Sequence, residues 1–170
     1  QDFDSHRIDP RGGTYACALN NCTLTGNSAG SGGGAIYSTL NNCIVYSNNA
    51  STGTNFNSSC TLNYCCTTPL PGSGAGNFRN APMFVNAANP IGADNIWGTA
   101  DDGLRLQNSS PAINQGTATN ATATDLIGNT RIQDGTIDLG AYETAPNVLP
   151  VTSTSFTAKL ENNAAVLRWE

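Results

Sequence analysis

Apolar and polar residues alternate in short runs through the first half of the chain. Tyr15, Cys17 and Leu19 fall on one face of an extended segment, as do Ile36, Ser38 and Leu40; a period of two is the mark of a β-strand. An asparagine pair ends each run, Asn20-Asn21 in the first and Asn41-Asn42 in the second. Beyond the pair, Cys22 points with Leu24 and Cys43 with Val45. The pattern predicts short strands meeting at asparagine corners. Gly, Ser, Thr and Asn dominate the composition, which favours turns and strands over helix.

The alternation repeats with a fixed offset. Sliding the chain by 21 residues aligns Gly12–Ala29 with Gly33–Ala50, and eight of the eighteen pairs are identical. A worn third copy follows, Leu62-Asn63-Tyr64-Cys65 matching Leu40-Asn41-Asn42-Cys43 at a spacing of 22. Cys22, Cys43 and Cys65 therefore form one column, and Cys17, Ser38 and Cys60 a second. Leucine-rich repeats have this period but need a leucine ladder that is missing here, and helical repeats need longer units. The remaining solution is an all-β solenoid, a parallel β-helix of about three coils of 21–22 residues, in which each residue lies about 4.8 Å above its equivalent. Stacked asparagines such as Asn20 and Asn41 then hydrogen-bond along their column.

An end coil exposes its sheet edges, so a cap is expected. Residues 1–11 read as a lead-in, 12–69 as the coils, and 70–143 as an exit loop and C-terminal cap. Within the cap, "SSPAINQG" and "TIDLGAYE" read as short closing strands. Residues 144–155 form a Pro/Thr linker, and 156–170 predict two strands around a Glu161-Asn162-Asn163 turn.

The runs "GGGAIYSTLNNCIVYSNNA", "LNYCCTTPLPGSGAGNFRNAPMFVNAANP", "LRLQNSSPAINQG" and "DLIGNTRIQDGTIDLGAYE" resemble right-handed parallel β-helix surface proteins of bacteria. These include the group with choice-of-anchor tails and relatives of polymorphic outer-membrane-protein repeats. The resemblance covers about Gly12 to Glu143. It implies right-handed coils, secretion and a place on the cell surface, and no single chemistry. The tail is similar to the opening of a fibronectin-like sandwich found before sorting domains in Bacteroidota, which implies further domains of a longer protein. Gln1 suits a mature N-terminus after signal-peptide removal, or an excised segment.

Charge narrows the partners. Charged residues make up 11% of the chain, less than half the usual share of about 25%. A net charge of −5 with seven scattered Lys and Arg offers no basic patch to nucleic acid. No apolar run approaches the ~20 residues that span a bilayer, so membrane insertion is not expected. Six cysteines (Cys17, Cys22, Cys43, Cys60, Cys65, Cys66) allow 15 pairings. No Cys-x-x-Cys pair exists, and the only histidine is His6, so zinc is disfavoured. Reduced, stacked core thiols suit a narrow interior; a disulfide within a column is allowed by distance but strained.

Candidate chemistry lies outside the coils, because no Lys, Arg, Asp, Glu or His occurs between Gly12 and Asn77. The loop "GADNIWGTADDG", residues 92–103, carries Asp94, Asn95, Asp101 and Asp102, oxygen ligands of the kind Ca²⁺ takes. Its alternative is an Asx-turn loop whose carboxylates cap amides. Asp125, Arg131, Asp138 and Glu143 gather in the cap, either as an ion-paired pin or as an acid–base group. Asp101-Asp102 and Arg131-Ile132 faintly resemble polygalacturonases, but that family's Asn-Thr-Asp and Gly-His-Gly runs are missing, and Gln133 stands in place of its lysine. His6 with Asp2, Asp4 and Asp9 reads as an exposed start. The expected function is structural or adhesive and non-catalytic, the C-terminal part of a secreted or cell-surface β-helix protein, with Tyr37, Tyr46, Tyr64 and the Asn/Thr rows available to a glycan or surface partner. The alternative is a polysaccharide-degrading enzyme, hydrolase or lyase.

Overall fold

The computed structural model describes residues 13–133 and 135–145, together with the backbone of two strands, Phe156–Glu161 and Ala164–Trp169. The lead-in with His6 and most of the linker lie outside the described residues. Among these residues there is no α-helix, and no helix long and apolar enough to cross a membrane.

The repeat folds as successive sets of short strands. The first holds β1 (Ala18–Asn20), β2 (Thr23–Leu24) and β3 (Ser28–Ser31). The second holds β4 (Thr39–Asn41), β5 (Ile44–Val45) and β6 (Asn49–Thr52). The third holds β7 (Thr61–Asn63) and β8 (Cys66–Thr67). They assemble into the sheets β1-β4-β7, β2-β5-β8 and β3-β6. Every pairing is parallel, with Leu19 opposite Leu40 opposite Leu62 and Asn20 opposite Asn41 opposite Asn63. A chain that visits parallel sheets in the same order each round is compatible with a parallel β-helix. The change of spacing from 21 to 22 falls between Phe56, still paired with Ala35, and Thr61, paired with Thr39. The turn closed by the Cys60 amide on the Asn57 carbonyl takes up the extra residue.

The inside is narrow and apolar. Leu19, Leu40, Leu62, Leu24, Val45, Cys43 and Cys65 form one buried cluster with Ala35, and a fully buried leucine such as Leu40 contributes about 1.5–3 kcal/mol. The repeated glycines sit where successive rounds come closest. A Cβ on Gly34 would stand 2.5 Å from the Asn55 carbonyl oxygen, so no side chain is tolerated there.

Strand alternation turns Ile44 and Cys66 to the opposite face of the middle sheet. There they pack with Leu106, Ala112 and Leu139, flanked by Tyr46, Tyr64, Phe78 and Phe84. The 70–143 segment therefore does two things. Residues 75–78 close the lower edges of β7 and β8. Tyr64 donates to the Ala75 carbonyl and Thr67 to that of Phe78, while the Asn77 carboxamide spans the Leu62 carbonyl and the Cys65 amide. Residues 112–141 then run along the flank of the parallel sheets back to the first set of strands, where the Ala141 amide meets Thr23 Oγ1. "SSPAINQG" and "TIDLGAYE" are not strands, contrary to the alternation reading. They take turn and extended shapes: two backbone bonds join the segments, Gly116 to the Ile137 carbonyl and Leu139 to the Ala112 carbonyl, but the amides of Asn114 and Asp138 between them go to the carboxylates of Asp138 and Glu143. The tail forms an antiparallel hairpin, β9 (Phe156–Glu161) with β10 (Ala164–Trp169), as the pattern predicts.

Candidate functional site

The asparagine corner has two separate jobs. Asn20, Asn41 and Asn63 form a ladder, with Asn41 Nδ2 donating to Asn20 Oδ1 at 3.2 Å and Asn63 Nδ2 to Asn41 Oδ1 at 3.4 Å. The next residue turns the corner. Asn21, Asn42 and Tyr64 have φ of 54°, 54° and 50°, a left-handed conformation that asparagine tolerates better than most residues. The Asn42 side chain also grips the flank, its Nδ2 donating to the Thr117 carbonyl and its Oδ1 accepting from the Thr117 amide, both at 2.9 Å.

Asp125, Arg131, Asp138 and Glu143 meet in one buried network. Arg131 is 3% exposed and spends all five of its N–H donors. Nε donates to Thr122 Oγ1, Nη1 to the Gly140 carbonyl and Glu143 Oε1, and Nη2 to the carbonyls of Ala141 and Asn21. Glu143 pairs with Arg131 at 3.0 Å and takes the Asp138 amide on both oxygens. Asp125 accepts from the amides of Ile127, Asn129 and Glu143. Asp138 accepts from the amides of Asn114 and Thr144. Burial drives Glu143 up to about 7, helped by the Asp138 charge and opposed by the Asp138 amide and Arg131. Its oxygens are nevertheless enclosed and occupied by the Arg131 guanidinium and the Asp138 amide.

The acidic loop is turned inward on itself. Asp101 accepts from the amides of Ala93 and Asp94 and from the Thr99 hydroxyl; the Thr99 hydroxyl, then those amides, hold its carboxyl down at about 2. Asp94 caps the Ile96 amide, and the Asn95 side chain donates to the Ala93 carbonyl. Asp102 is fully buried. Its Oδ2 accepts from the amides of Gly98 and Thr99 and from the Tyr142 hydroxyl at 2.7 Å, whereas Oδ1 has no hydrogen-bond partner. Burial, and then Asp102, push the Tyr142 phenol well above its ordinary range. Among the described residues, no three Asp, Glu, His or Cys side chains group as a metal site would require.

The six thiols are free. Cys43, Cys65 and Cys66 are buried, Cys22 and Cys60 are half-buried, and Cys17 is exposed. Cys22, Cys43 and Cys65 do stack, the Cys22 amide lying 3.5 Å from Cys43 Sγ and the Cys66 amide bonding the Cys43 carbonyl. Serine interrupts the other column, the Cys17 amide donating to Ser38 Oγ.

Of the three tyrosines offered to a ligand, Tyr37 is 62% exposed, whereas Tyr46 and Tyr64 pack against the flank. Tyr37 meets the exposed Tyr15 edge to face, ring centroids 5.7 Å apart. Asn77 and Thr117 bond to the strand corners and Tyr142 to Asp102, yet their sequence context gives no periodic signal that would single them out. Comparison with protein-family models and with curated proteins gives no match.

Proposed function

We propose that this chain is a non-catalytic structural module of a secreted or cell-surface right-handed parallel β-helix, in which residues 70–143 close the coils and brace their flank. The observation that carries the reading is Arg131. Each of its donors is committed to the cap or to the first round, and its carboxylate neighbours hold backbone amides in the same way. General acid–base chemistry needs a titratable group within reach of substrate, and these groups are spent on folding. The β9–β10 hairpin fits the opening of a fibronectin-like or sorting domain. The test is a screen against pectins, alginates and neutral glycans at several pH values with added Ca²⁺, in which no turnover is expected. Turnover lost in Asp101→Asn or Asp102→Asn would restore the polysaccharide-degrading alternative.

A second reading, glycan or partner binding, is favoured by the Tyr15–Tyr37 pair. It borders the outer face of β1-β4-β7, where Thr39 and Thr61 are exposed beside the asparagine ladder. An aromatic edge next to hydroxyls and carboxamides suits a neutral sugar, whose apolar face stacks while its hydroxyls bond. A glycan array with and without Ca²⁺, on the parent and on Tyr37→Ala, tests it; signal lost in the variant supports binding at this face.

A further inference from the structure

The thiol column joins a half-buried cysteine to a fully buried one. Cys22 is half-buried in the first round, and Cys43, directly below it, is fully buried. Their neighbours Thr23 and Ile44 are paired in register on adjacent parallel strands. Such strands lie about 4.8 Å apart, within the 4.4–6.8 Å span of Cα atoms that a disulfide joins. The side chains point alike, each thiol donating to the carbonyl two residues back, Cys22 to Asn20 at 3.3 Å and Cys43 to Asn41 at 3.1 Å. Cys17 has no such partner, since Ser38 occupies the place below it.

We propose that Cys22 and Cys43 form an oxidisable dithiol site that takes hydroperoxides and closes into a disulfide linking the first two rounds. The Cys22 thiolate attacks the terminal peroxide oxygen, the O–O bond breaks, and Cys22 sulfenic acid and an alcohol (or water) form. Cys43 sulfur then attacks the Cys22 sulfur and displaces hydroxide, which takes the Cys43 proton and leaves as water. Two thiols are oxidised by two electrons, and one peroxide is reduced. The local charges agree with this order of attack. The hydrogen bond with Cys43 lowers the Cys22 thiol, with the Arg131 charge assisting against burial, whereas burial raises Cys43. The lowered, less buried thiol reacts first, and its neighbour resolves it.

The experiment exposes the full chain to hydrogen peroxide, blocks remaining thiols and maps peptic peptides without reduction, since no Lys or Arg lies between Gly12 and Asn77 for trypsin. A Cys22–Cys43 linked pair, lighter by two hydrogens, is expected. In Cys43→Ser the link is lost and Cys22 sulfenic acid is trapped by dimedone. The substitution is compatible with the fold because Ser38 already makes the same two-back bond, to Ile36. Circular dichroism and the melting temperature establish that the variant is folded, and Cys43→Ala repeats the test if it is not. Oxidation confined to Cys17 or Cys60, or stepwise over-oxidation of Cys22 in the parent without any link to Cys43, would overturn the proposal.

Discussion

Asn42 lies directly below Asn21 at the same corner and in the same left-handed conformation, yet only Asn42 has its carboxamide engaged. Its two bonds to Thr117 bridge 75 residues of chain, while neither polar atom of the buried Asn21 side chain has a hydrogen-bond partner. The pair separates what asparagine contributes by conformation from what it contributes by bonding.

Glycine at either corner keeps the backbone conformation, so Asn42→Gly should isolate the lost bonds and leave both Thr117 groups without their partners. A loss of about 1–3 kcal/mol is expected in urea unfolding. Asn21→Gly removes an unpaired buried amide and should be neutral or stabilising. Equal losses in the two variants would mean that the Thr117 contact contributes nothing.

Measured at pH 8, where Glu143 is ionised in the parent, Arg131→Met should be among the most damaging single changes, costing about 3–5 kcal/mol, because it leaves the buried Glu143 carboxylate uncompensated. Lysine should not rescue it, having three donors where five are used. The double variant Arg131→Met with Glu143→Leu should recover part of the loss, since no charge is then left unpaired. Denaturant curves on the three variants read this coupling directly.

Glu143 also sets a pH dependence. Its carboxyl rises from 4.5 to about 7 on folding, so between those values the folded protein binds more protons than the unfolded one. Raising the pH through that window therefore favours unfolding. The Glu143 contribution is complete below about pH 4.5 and is lost by about pH 7, on the order of 3 kcal/mol in all. Glu143→Gln should flatten the slope while keeping an oxygen for the Arg131 and Asp138 donors. Melting temperatures between pH 4.5 and 8 check it; an unchanged slope in the variant would assign the titration elsewhere.

The acidic loop tests calcium against amide capping. With Asp94, Asp101 and Asp102 already holding backbone amides, chelator should leave the melting temperature unchanged, and Asp102→Ala should lower it with or without chelator. A fall on chelation that disappears in Asp102→Ala would establish a bound cation, because a ligand held only by the folded state raises its stability.

The sequence alone determined the parallel stack. Register depends on side chains that recur every 21 or 22 residues, so Leu19 over Leu40, the Asn20–Asn41 ladder and the Cys22–Cys43–Cys65 column were legible as columns before any coordinate. The β9–β10 hairpin was legible for the same local reason, alternation around a turn. The tertiary structure decided everything that joins distant, non-repeating segments. Arg131 reaching Asn21, Tyr142 reaching Asp102 and Thr117 locking onto Asn42 depend on where a turn-rich segment lies against the coils, and hydrogen bonds to single backbone groups leave no period in a sequence. The same holds for the closing segments "SSPAINQG" and "TIDLGAYE", whose alternation suggested strands. The carboxylates of Asp138 and Glu143 take the amides that lie between the two backbone bonds joining these segments, and that competition is settled only when both parts of the chain are in contact.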